Sequence, residues 1–160
     1  MKRPIRIMAV ASAGGHWMQL LRLQPAWDGC EVTFVSTDPG LRSEAESAAA
    51  ARGQARPGFV VVQEANRWQK ARLVLSLLQT ALAVLRLRPD VVITTGAAPG
   101  FFAVRLGGLM GARTAWVDSM ANAEKLSLSG KKAGPHADLW LTQWPHLASP
   151  DGPDYKGSVI

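Results

Sequence analysis

A single cysteine, Cys30, in 160 residues excludes an internal disulfide and any cysteine-rich zinc site, which fits a reducing compartment. The three histidines, His16, His136 and His146, show no metal-ligand spacing, so no metal and no cofactor is expected. No apolar run reaches the ~18 residues of a membrane-crossing helix. Behind the basic start Met1-Lys2-Arg3-Pro4 the apolar stretch is only about six residues long, too short for a secretory signal. Internal repeats and linker-like segments are lacking as well. Acidic residues are in deficit, 12 Asp plus Glu against 18 Lys plus Arg, for a net charge of +6. That balance favours anionic partners: phosphorylated small molecules, a membrane surface or nucleic acid. Nucleic acid is disfavoured because no nucleic-acid-binding module is present.

What is present is enough apolar material, 48% of the chain, for one hydrophobic core. Short β-branched runs at 5–10, 32–35, 59–62, 90–94, 112–117 and 139–142 read as buried strands. Helical periodicity occupies 16–23, 43–52, 66–88 and 99–110, with a short helical stretch near Ala137. Strand–helix alternation of this kind predicts a single doubly wound, Rossmann-like α/β domain over 1–148, a parallel sheet with helices on both faces. Residues 149–160, rich in proline and glycine, read as a C-terminal tail.

The first strand runs into Ser12-Ala13-Gly14-Gly15-His16, a turn that opens a helix. Two glycines allow positive φ and close approach of a ligand, and the helix start offers unpaired N–H groups, so the turn suits an anion. It serves equally as a plain strand-to-helix turn. Thr94-Thr95-Gly96 follows the fourth strand and Asp118-Ser119 the fifth. In a doubly wound sheet these loops converge on one crevice. The first turn lacks the G-x-G-x-x-G spacing of a dinucleotide site, which disfavours a stand-alone nucleotide-binding domain.

In the long helix Arg72, Ser76, Gln79, Thr80 and Ala83 share one stripe, and leucines and valines cover an arc of roughly 200°. Two readings remain open: a core helix between the sheet and a neighbouring helix, or a helix that also touches lipid. The two are compatible if one side of the arc packs and the other faces lipid; the lipid reading rests on the ends, with Trp68 and Lys70 before the apolar face, Arg86 at its close, and Leu77 and Leu85 within it.

Taken together, Ser12-Ala13-Gly14-Gly15-His16, Thr94-Thr95-Gly96, Asp118-Ser119, Leu126-Ser127-Leu128-Ser129-Gly130-Lys131, Ala137-Asp138-Leu139, Thr142-Gln143-Trp144 and Tyr155-Lys156-Gly157 resemble the Alg14/PssD family of glycosyltransferase subunits. That family is similar to the N-terminal half of MurG-type enzymes. The resemblance implies the acceptor half of a GT-B transferase that moves a sugar from a UDP-sugar to a polyprenyl-diphosphate-linked saccharide in surface polysaccharide biosynthesis. It implies an Alg13/PssE-like partner that supplies most of the donor site, and peripheral attachment to the cytoplasmic face of the cytoplasmic membrane. Asp118 stands where relatives often have Glu, one methylene longer.

On this reading His16 and Asp118 are the catalytic candidates, His16 as a base and Asp118 as either the base or the partner that orients it. Ser12, Gly14, Gly15, Thr95, Gly96, Ser119 and Lys131 are candidates for holding the diphosphate, and Trp144 and Tyr155 for partner contact. Against each stands a structural role: helix start for His16, a cap for Asp118, core packing for Trp144. An adaptor that recruits a partner holding all the chemistry is the alternative function.

Overall fold

The computed structural model describes residues 3–159; Met1, Lys2 and Ile160 lie outside the described residues. Seven strands form one all-parallel sheet in the order β3-β2-β1-β4-β5-β6-β7. In chain order the elements are β1 (Arg6–Val10), α1 (Gly15–Arg22), β2 (Glu31–Ser36), α2 (Leu41–Ala51), β3 (Gly58–Val61), α3 (Lys70–Leu87), β4 (Val91–Thr94), α4 (Ala97–Leu109), β5 (Arg113–Val117), α5 (Leu128–Ala133), β6 (Leu139–Thr142) and β7 (Asp154–Tyr155). The doubly wound α/β expectation is met, and the boundaries move by a few residues.

β1 shows why helices cover both faces. Its successive side chains point to opposite sides. Met8 and Val10 join Val84, Val104 and Trp116 under α3, α4 and α5. Ile7, Ala9 and Ala11 join Trp17, Leu20, Phe34 and Ala45 under α1 and α2. The sheet order reverses direction between β1 and β4, so the loops after these two strands splay apart and leave a crevice.

Three expectations are corrected. The helix after β5 begins at Leu128, ahead of Gly130, because Ser127 caps it by accepting a hydrogen bond from the Gly130 N–H. The segment from 149 does not merely trail: Asp154–Tyr155 pairs with Leu141 and Thr142 as the seventh strand. The third correction concerns α3, whose buried stripe is Ser76, Thr80, Ala83 and Val84, while Val74, Leu75, Leu78, Leu82 and Leu85 are exposed. The small-residue stripe faces inward and most of the leucine arc faces out. Size explains the choice. The Ser76 and Thr80 hydroxyls find no partner among the described residues, so small volume and not hydrogen bonding selects them where α3 lies close to its neighbours.

Asp90 ties together the N-terminal ends of β1 and β4. Its carboxyl accepts 2.9 and 2.7 Å bonds from the Arg3 guanidinium and a 2.9 Å bond from the Arg6 N–H. The Arg3 bond, with the Arg6 N–H behind it, lowers the Asp90 pKa from 3.8 to about 2. A carboxyl depressed in this way contributes stability above its ordinary pKa and loses it as the pH falls through the folded value. Asp90→Asn is therefore expected to narrow its stability deficit relative to wild type below pH 3.8, and to close most of it near pH 2. Urea titrations at several pH values measure this.

Candidate functional site

The crevice forms where the sheet reverses. Gly14 ends the β1 turn at φ +82°, in the left-handed region that favours glycine, and α1 starts at the next residue. His16, in the first turn of α1, reaches across to the loop after β4. Its Nδ1 lies 2.8 Å from the Thr95 carbonyl oxygen, and the Thr95 hydroxyl donates a 2.6 Å bond back to the His16 carbonyl. A carbonyl can only accept, so Nδ1 donates, and in the neutral imidazole Nε2 is the nitrogen with the lone pair. Gly96 makes the approach possible. A Cβ there would stand 2.7 Å from His16 Cε1, and its φ of +129° is itself a glycine conformation.

Asp118 makes the kind of structural contact set against its site role. It is 2% exposed, and its carboxyl accepts bonds from the Trp116 Nε1–H at 3.1 Å, the Ser127 N–H at 2.9 Å and the Ser127 hydroxyl at 2.5 Å. These bonds anchor the loop that leads into α5. The His16 side chain turns instead to the Thr95 carbonyl, so Asp118 does not orient the imidazole.

His16, Ser119, Asn122, Ser127 and Ser129 line a polar cleft of about 190 Å³. Ala97, Leu128 and Ser129 border this cleft and also a larger groove of about 460 Å³, which is walled by Leu73, Phe101 and Phe102 with Arg67 and Lys132 at its rim. Of the predicted ligand residues, Ser119 lines the cleft; Thr95 and Gly96 touch His16 without lining it, and Gly14 and Gly15 precede His16 at the start of α1 and border neither hollow. Ser12 is half-buried on the β1 turn. Lys131 is exposed and borders neither hollow, whereas its neighbour Lys132 borders the groove. Trp144 donates a 2.7 Å bond to the Met120 carbonyl and so pins the loop after β5, and Tyr155 is 40% exposed on the edge strand.

Sequence reasoning missed Gln19 and Gln143, which are 5% and 4% exposed beside the crevice. Helical periodicity gives no signal for Gln19, which lies about 200° around α1 from Trp17, off the stripe of Trp17, Leu20 and Leu21, and is buried by the neighbouring loops instead. Phe101 and Phe102 fall inside the helix expected over 99–110, and no motif singles them out.

The family model described as "Oligosaccharide biosynthesis protein Alg14 like" matches residues 7–159. The chain is 32% identical, over 91% of its length and 75% of the relative's, to the UDP-N-acetylglucosamine transferase subunit ALG14 of Eremothecium gossypii. It is 24% identical, over 89% of its length and 72% of the relative's, to the protein of the same name from Candida albicans. Among solved structures, Acinetobacter baumannii MurG superposes with a TM-score of 0.74 at 13% identity, covering 98% of this chain and 46% of MurG. The chain thus matches less than half of MurG, and that likeness speaks to fold alone. The family match along nearly the whole chain and the identity to the fungal relatives agree: the chain belongs to the Alg14-like family of oligosaccharide biosynthesis proteins.

Proposed function

We propose that this chain is the acceptor-binding subunit of a two-component glycosyltransferase, which moves a sugar from a UDP-sugar to a polyprenyl-diphosphate-linked saccharide in surface polysaccharide synthesis. The observation that carries the reading is a polar cleft at His16 beside an apolar groove between Leu73, Phe101 and Phe102, the two sharing Ala97, Leu128 and Ser129 in their walls. An amphiphilic acceptor has the same two parts, a sugar diphosphate and a prenyl chain. The relatives' name supports N-acetylglucosamine as the sugar moved and supports a subunit that works with another, here an Alg13/PssE-like donor-binding protein.

His16 Nε2 takes the proton from the attacking acceptor hydroxyl. The hydroxyl oxygen bonds to the anomeric carbon, and the bond from that carbon to the UDP oxygen breaks, so UDP leaves with the electron pair. Thr95 holds the imidazole in the tautomer this step needs. Asp118 acts as the loop anchor. The test combines the chain, its partner and UDP-N-acetylglucosamine with membranes that hold the lipid-linked saccharide. Transfer is expected only when both proteins are present. Full transfer by this chain alone removes the two-component reading, and full transfer by the pair carrying His16→Ala favours the adaptor.

Membrane attachment belongs to the same proposal. None of the described helices is long and apolar enough to cross a bilayer. The outer face of α3 carries Val74, Leu78 and Leu85, and Trp68 before it is 78% exposed with the Arg67 guanidinium 4.7 Å over its ring. Lys70 and Arg86 flank this face and are exposed, as amphipathic helices at an interface arrange such residues. Leu78→Glu and Leu85→Glu are expected to stay folded yet lose flotation with anionic liposomes. Unfolding of both, or unchanged flotation, overturns the lipid role. Leu77, half-buried, is the wrong position for this test because its side chain also packs inward.

A further inference from the structure

Gln19 and Gln143 lie under the floor of the His16 cleft in a buried hydrogen-bond network whose chemistry has one solution. The Gln19 Oε1 faces the Met120 N–H at 3.1 Å, and a backbone N–H can only donate. The Gln19 Nε2 faces the Gly15 carbonyl at 3.2 Å, which can only accept. In Gln143 the Oε1 accepts from the Val159 N–H at 2.9 Å, and the Nε2 donates to the Asp118 carbonyl at 3.0 Å. Backbone groups therefore fix both amides, and the 2.5 Å bond from Gln143 Nε2 to Gln19 Oε1 completes the pair.

The second Gln19 Nε2 proton points at the Ser119 hydroxyl oxygen, 3.0 Å away, and the Ala121 N–H points at the same oxygen from 3.3 Å. A hydroxyl oxygen has two lone pairs, and here both face donors. Ser119 is left with one proton to give and no acceptor for it among the hydrogen bonds of the described residues, while it lines the cleft beside His16. We infer that Gln19 and Gln143 are positioning residues that hold the Ser119 hydroxyl as an obligate hydrogen-bond donor toward an anionic oxygen of the ligand in the His16 cleft. The inference rests on the function proposed above only for the source of that anion, a lipid-linked diphosphate. The network also runs from the C-terminal segment at Val159 to the first turn of α1, so the segment after β7 takes part in setting the site.

The test measures binding of farnesyl diphosphate and, separately, of UDP to the full chain by calorimetry, with thermal unfolding of every variant alongside. Ser119→Ala removes one hydroxyl and is expected to remain folded. It should weaken diphosphate binding on the order of tenfold, the size expected for one hydrogen bond to a charged group. Gln19→Glu turns the amide donor into an acceptor, so the Ser119 proton is drawn to Glu and away from the ligand. A similar loss is expected, with no further loss in the Ser119→Ala background. Gln19→Met, neutral and of similar volume, serves if the buried Glu does not fold. It too must weaken the wild type by no more than Ser119→Ala does, and must add nothing to that variant. Losses that add up, or unchanged binding by Ser119→Ala, overturn the inference. Binding of farnesyl diphosphate supports it together with the acceptor reading. Binding of UDP alone, with the same non-additive losses, supports the Ser119 donor while removing the acceptor reading. A wild-type chain that binds neither probe overturns the Ser119 donor itself.

Discussion

His16→Ala is expected to lower sugar transfer by the reconstituted pair by ~10²–10⁴-fold, the usual contribution of a positioned general base. Folding and partner binding should survive. The side chain is half-buried at the rim of the crevice, and its one fixed hydrogen bond, to the Thr95 carbonyl, is worth only about 1 kcal/mol net. The loss should fall on kcat, since a proton is taken only as the new bond forms. Exogenous imidazole should recover part of the rate, because the substitution leaves a cavity of imidazole size beside Thr95. Turnover within threefold of wild type would assign the chemistry elsewhere and leave this chain as an adaptor.

Asp118→Ala is expected to act on stability, with the opposite signature. Removing the carboxyl leaves the Trp116 Nε1–H, the Ser127 N–H and the Ser127 hydroxyl without their acceptor. A buried donor left unpaired costs about 1–3 kcal/mol, so a loss of roughly 3–5 kcal/mol is expected after partial relaxation toward water. In a chain of this size that corresponds to a fall in Tm on the order of 10 °C. Asp118→Asn should do nearly as badly. Its amide can keep one oxygen as acceptor, but its NH2 must then face a donor at Ser127. The α5 start pays for either change, since Gly130 packs so tightly here that a Cβ would lie 2.5 Å from Asp118 Oδ1. Turnover that vanishes while Tm holds would return Asp118 to the role of base.

The contrast between these two residues shows where sequence reasoning reached its limit. Both sit on loops after strand ends, both are titratable, and both match the family motifs. What separates them is orientation. His16 points its free nitrogen away from a carbonyl, and Asp118 turns inward to three donors that lie two and nine residues along the chain. No spacing rule encodes that turn. The small residues of α3 give the same lesson in reverse. Ser76 and Thr80 look like a solvent stripe by polarity, but close packing selects by volume, and the leucines are left outside.

The sequence by itself determined the alternation of strands and helices, the glycine turns after β1 and β4, and the family. Those are properties of local periodicity and backbone freedom, written in contiguous residues. The tertiary structure decided which residues face one another across long stretches of chain: Thr95 fixing the tautomer of His16, Val159 and Met120 fixing the amides of Gln143 and Gln19, and Leu73 meeting Phe101 and Phe102 across the groove. Hydrogen-bond direction and burial depend on the three-dimensional neighbour, and a neighbour 16 or more residues away leaves no trace in the local pattern.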